Sequence, residues 1–155
     1  MGDVNHQQAE LLLKLYDLRR EPKLREARAW LIGIPNFQSI QDLQTQCPPG
    51  SEKNALLRQV LSYWEMCAGI VDRGLIDEEF FFENTGEQWV VWERIKAAVP
   101  EMRAAFKNPN FFKHLEDHVA RLEAWREKKA PGSNEAIRAY VRSMAEAAAA
   151  KAKSA

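Results

Sequence analysis

The most constraining stretch is the run from Ser51 to Arg73, fenced by Cys47-Pro48-Pro49-Gly50 before it and Gly74 after it. At ~100° per residue, Leu56, Leu57, Val60, Leu61, Trp64, Cys67, Ala68 and Val71 fall on one broad face. A stripe that wide needs several neighbours to cover it, so a helix bearing it belongs at the centre of a bundle. The flanks agree. Ser51 is placed to accept from the orphan N–H groups of a first turn, and Gly74 supplies a left-handed stop.

The rest of the chain also reads with helical period. Strict alternation is rare and β-branched residues are sparse. The predicted fold is therefore all-α, an irregular bundle of about six or seven helices with no significant β-sheet. A chain of 155 residues suits a single domain. Its core is expected over about residues 7–130, with residues 131–155 as a C-terminal helix ending in an Ala/Lys-rich tail.

Helix punctuation sets the expected boundaries. Leu11, Leu12, Leu15 and Leu18 stripe a first helix, which Pro22 either kinks or ends. A second runs to about Ile32, and a short one follows from Ser39 to Gln46. Asp77 caps a short segment in which Ile76 and Phe81 sit at hydrophobic-staple positions. Thr85 and Gln88 have capping-box spacing ahead of a helix carrying Val91, Trp92, Ile95, Val99, Met102 and Phe106. Pro100 kinks or splits that helix. Asn108-Pro109 reads as a cap with proline at the first helical position of a helix running to about Lys129. Ser133 reads as the cap of the last helix. The Ala/Lys tail favours helix by propensity but offers no large side chain for burial, so it frays or docks on something.

Charge and cysteine content narrow the function classes. Lys+Arg and Asp+Glu are both 22, so no strong basic face is on offer to nucleic acid. The basic run Arg19, Arg20, Lys23, Arg25 and Arg28 is interleaved with Glu21 and Glu26, which reads as a solvated helix face. Cys47 and Cys67 lack CxxC spacing, and a thiolate zinc site is excluded. Cys67 sits on the apolar face, whereas Cys47 is placed in a loop. No run approaches a membrane span and no signal pattern opens the chain, so the expectation is a soluble cytoplasmic protein with no cofactor.

Three constellations carry the candidate chemistry. His114 and His118 share a helix face at i, i+4 and could hold a metal. The residue after the first histidine is Leu115, not the glutamate of a metalloprotease helix, and His118 lies beside Leu115 and Leu122 on the core side. Glu65 and Arg103 lie at the margins of two apolar stripes, placed for a structural ion pair; Asp72, one heptad from Glu65, extends a carboxylate ridge. Phe80, Phe81 and Phe82, with Trp89 and Trp92, form the most unusual block. Three consecutive phenylalanines cannot face one core from one helix, so this corner is either enclosed by several helices or open as an interface or pocket. Nucleophile elbows, phosphate loops and dinucleotide fingerprints are absent from the sequence.

The segments Leu15-Tyr16-Asp17, Pro22, Glu26-Ala27-Arg28, Tyr63-Trp64-Glu65, Gly74-Leu75-Ile76-Asp77 and Trp89 or Trp92 with Pro100 and Arg103 carry a resemblance. Over roughly residues 10–125 the chain resembles an uncharacterised bacterial helical family, known only as a domain of unknown function. The resemblance implies an all-α fold and a role for Glu65 and Arg103; it brings no activity with it.

The expected function is a non-catalytic protein-interaction or regulatory module. It would act through the aromatic surface on a protein partner or on a second copy as a homodimer. One alternative is a metal- or small-ligand-binding bundle using His114 and His118 or the Glu65 edge. The other is a weak nucleic-acid binder using Arg19 to Arg28.

Overall fold

The structure is a computed structural model and describes residues 4–154. Met1, Gly2, Asp3 and Ala155, the ends of the predicted domain, lie outside the described residues. Nine helices and no strand occur among the described residues: α1 His6–Arg19, α2 Pro22–Gly33, α3 Ile40–Gln46, α4 Glu52–Asp72, α5 Glu78–Asn84, α6 Glu87–Ile95, α7 Val99–Ala105, α8 Lys113–Lys129 and α9 Ser133–Ser154. The class is the predicted one. The count exceeds six or seven because each ambiguous proline marks a break. Pro22 opens α2 behind an N-cap at Glu21. The helix around Pro100 divides into α6 and α7, with the break at Lys96–Ala98 and the proline in the first turn of α7.

The central helix is α4. All eight predicted stripe residues are buried, and Tyr63 joins them. It lies against α2 on one side and α8 on the other, with α6 and α5 completing the cover. Each buried leucine on such a face is worth about 2–5 kcal/mol against alanine. The Asp77 cap forms as expected, and Ile76 and Phe81 at the staple positions are both buried.

Buried polar links tie the helices together. Arg28 clasps Glu87 in a bidentate pair, Nε to Oε1 and Nη2 to Oε2, each at 2.6 Å. The Trp64 indole donates to the same carboxylate at 3.3 Å, and the Tyr63 hydroxyl donates to the Leu15 carbonyl at 2.5 Å. Arg94 closes the C-terminal end of α2, donating to the carbonyls of Leu31 (3.2 Å) and Ile32 (2.7 Å). Those carbonyls belong to a last turn without intrahelical donors, so a buried guanidinium is a fitting partner.

Several local expectations need correction. Leu18 is exposed rather than part of the buried stripe of α1. Thr85 does not cap α6; its hydroxyl donates back to Phe81 and accepts from the Gln88 amide. Asn108-Pro109 forms a turn, and α8 starts four residues after that proline, at Lys113. The Ser133 hydroxyl is buried without a hydrogen-bond partner and caps nothing. Cys47 does follow α3 outside the helix, as expected, but it is fully buried. The last helix docks on α8 and α2 through Val141 and Ala145.

Candidate functional site

The aromatic corner is enclosed by its own chain. Phe81, Phe82 and Trp89 are buried, and Phe80 and Trp92 are half-buried against the same core. The rings of Phe81 and Phe82 stand edge-on to His118 at 5.4 and 5.1 Å. The Trp89 indole donates to Glu123 at 2.7 Å, and the guanidinium of Arg138 covers its ring at 5.2 Å. Helix α8 therefore supplies the second surface for Phe81 and Phe82, while α9 covers Trp89.

Glu65 and Arg103 do not pair with each other. Glu65 accepts from the backbone N–H groups of His114 (3.2 Å) and Leu115 (2.8 Å). Phe112, at the N-cap position of α8, makes no side-chain cap. A carboxylate from α4 thus satisfies two orphan donors and meets the positive end of the helix dipole. Arg103 donates to the Phe111 carbonyl at 2.9 Å and to Glu116 at 2.8 Å. Separately, both residues hold the start of α8, Glu65 by its first N–H groups and Arg103 by Glu116 and the Phe111 carbonyl just before it. Sequence spacing placed them at helix margins but could not show that each would bond groups at the start of α8 instead.

The turn from Phe106 to Phe112 builds one wall of an apolar groove. Lys107 and Phe112 take left-handed backbone conformations, φ 51° and 55°, at a cost of roughly 1–2 kcal/mol each. The result is a stack in which Phe111 lies 5.3 Å from Phe106 and 4.3 Å from Phe112. Across from it stand Leu43 of α3 and Leu57 and Leu61 of α4, enclosing about 350 Å³. Phe106 is 64% exposed at the rim. Arg58 also lines the groove, without an ion-pair partner among the described residues. Cys47 contributes to the floor, and burial pushes its thiol pKa up, so it offers no ready thiolate.

A polar seam runs along the other half of α4. His114 Nδ1 meets Asp72 Oδ2 at 2.6 Å, and Arg121 bridges Asp72 to Glu78, with Nε 2.5 Å from Glu78 Oε2. Burial raises the Asp72 pKa, but the bonds from His114 and Arg121 outweigh it and hold the carboxyl below its ordinary value. His118 takes no part in a pair with His114. It is 1% exposed, and burial, reinforced by the Arg121 charge, lowers its pKa to about 4. The predicted histidine pair is thus divided, His114 at the seam's edge and His118 beneath it.

The basic run of α1 and α2 presents no continuous face. Arg28 is turned inward to Glu87, Lys23 pairs with Glu26, and the Arg19 Nε is buried without a hydrogen-bond partner. No helix among the described residues is long and apolar enough to cross a membrane.

The sequence profile of DUF4760, a domain of unknown function, matches residues 6–122. The chain belongs to the DUF4760 family. The matched span takes in α1 to α7 and most of α8, so the groove and the seam are both parts of the DUF4760 domain, while α9 lies beyond it. No curated protein and no solved structure matches this member of the family.

Proposed function

We propose that this chain is a non-catalytic interaction module whose α3–α4–α7 groove seats an apolar, acid-flanked segment of a protein partner. The observation that carries the reading is the groove itself. It is apolar, large enough for two or three side chains of an amphipathic helix, and walled by a turn held in strained backbone. Non-glycine residues in left-handed conformations persist where the surroundings enforce them, and such places cluster at binding sites. Charge selects the partner's chemistry. Arg58 stands on the lining, and the Lys53 ammonium bears on the Cys47 thiol at the floor. The carboxylate that also acts there, Asp42, is occupied by the Gln38 amide and the Gln46 side chain.

The test uses two probes with this chemistry, the anionic fluorophore anilinonaphthalene sulfonate and a synthetic leucine-rich helical peptide with glutamates on its polar face. Both are expected to bind once per chain. Phe106→Asp and Arg58→Glu, both on exposed side chains, should each weaken the peptide about tenfold or more with unchanged thermal melts. Peptide affinity unaltered in both variants would sink the groove as the docking site. A wild-type dimer that Phe106→Asp dissociates would replace the foreign partner with a second copy of the chain.

A further inference from the structure

The polar seam contains a buried histidine with nothing to do. The His118 ring is 1% exposed, its Nδ1 has no hydrogen-bond partner, and its Nε2 faces the Gln88 amide nitrogen at a long 3.5 Å. Leaving a buried polar atom unpaired costs about 1–3 kcal/mol, so such an atom calls for an explanation. A ring nitrogen of His118 and one carboxylate oxygen each from Asp72 and Glu78 lie within 4.8 Å of one another. We infer that Asp72, Glu78 and His118 form a site for a divalent transition-metal ion, and that the Arg121 guanidinium stands in for that ion in the metal-free protein.

Four features support this. Ions bound to nitrogen and oxygen donors at about 2.0–2.2 Å need those donors roughly 3–3.5 Å apart, so the three side chains close on an ion by moving about an ångström. Arg121 holds the two carboxylates together by charge, yet its side chain is 40% exposed and can rotate outward. An open cavity of about 530 Å³, lined by Asp72, Asp77, Glu78 and Arg121, provides the path of entry. His114, bonded to the second oxygen of Asp72, is placed as an outer partner that orients a ligating carboxylate.

The donor set selects the ion. One imidazole with two carboxylates suits zinc, manganese or ferrous iron, whereas magnesium and calcium favour oxygen-only shells. The two carboxylates neutralise a divalent charge, so Arg121 becomes redundant once the ion is seated. This site lies toward the C-terminal end of α4, away from the Leu57 and Leu61 groove, and does not rest on the docking proposal.

Cobalt(II) alone is the probe, added to chelator-treated full-length protein and followed by its visible d–d absorption. One equivalent is expected to bind, zinc(II) to displace it, and magnesium(II) to leave it in place. Arg121→Gln removes the competing cation and should tighten binding about tenfold or more; Glu78→Gln and Asp72→Asn should weaken it by a similar factor. None of these substitutions touches the buried ring, and circular dichroism verifies that each variant folds. Absence of a d–d band in both the wild type and Arg121→Gln would overturn the site. So would cobalt affinity that is indifferent to both carboxylate substitutions.

Discussion

Two phenylalanine-rich segments of this chain have opposite fates. Phe80, Phe81 and Phe82 sit on the short helix α5; Phe81 and Phe82 are buried and Phe80 half-buried, with His118 against Phe81 and Phe82 and Trp125 against Phe82. Phe106, Phe111 and Phe112 sit in the turn between α7 and α8, stack on one another, and leave an apolar wall open to solvent. Composition is the same in kind. The difference is what lies above: side chains of α8 cover Phe81 and Phe82, whereas the Phe106 ring at the rim of the groove is left 64% exposed. Aromatic density in a sequence reports apolar area, and only the tertiary arrangement decides whether that area becomes core or a surface for another molecule.

Truncating one aromatic from each segment should separate the two most sharply. Trp89→Ala should lower urea stability by about 3–5 kcal/mol, because it empties a fully buried site and removes one of the two donors to Glu123, leaving Arg138 as the other. Phe106→Ala should stay within about 0.5 kcal/mol of wild type while losing affinity for the acidic peptide. Comparable destabilisation by the two would mean that the turn is core as well.

Acid separates the two regions next. His118 has a folded-state pKa of about 4 against an ordinary 6.5, so between those values the unfolded chain binds more protons than the folded one. Stability therefore falls as pH drops from about 6.5 to 4, by at most about 3 kcal/mol. In chelator-treated protein, hydrogen exchange should accelerate around Phe81 and Phe82 over this window before it does at the groove. His118→Gln should flatten the slope, and an unchanged slope would remove His118 as its cause.

Two smaller effects concern the turn alone. Glu65→Ala should cost about 1–2 kcal/mol as the lost cap of α8, with faster amide exchange at His114 and Leu115; protection there equal to wild type would refute the capping role. Lys107→Gly should stabilise the protein by up to about 1 kcal/mol, since glycine carries no penalty at φ 51°. Destabilisation instead would show that the lysine side chain holds the turn.

The parts of the fold that local chemistry dictates were legible beforehand. The stripe of α4, the Ser51 and Asp77 caps and the burial of Ile76 and Phe81 each depend on residues within one or two turns, whereas Pro22 left a kink and a break equally open. What was not legible depends on distant partners. Asn108-Pro109 has the composition of a helix start, but Glu65 stabilises a start at Lys113 from another helix. Arg103 lay at the right helix edge for Glu65, yet Glu116 and the Phe111 carbonyl were nearer. Helical angle placed His118 on the core side; its proximity to Glu78 had no local signal, because α5 and α8 meet only in the folded chain. Asp72 was visible as part of a ridge, and its bond to His114 was not.

The Glu65 cap also bears on the order in which the protein folds. Its acceptor oxygens reach N–H groups 49 and 50 residues further along the chain, so the boundary of α8 is set only when α4 and α8 dock. A contact that spans so much chain closes late, because its loop-closure entropy must be met first. Neutralising Glu65 should then hasten unfolding more than it slows refolding. The carboxylate then acts as a latch on an assembled bundle, not as part of what assembles it.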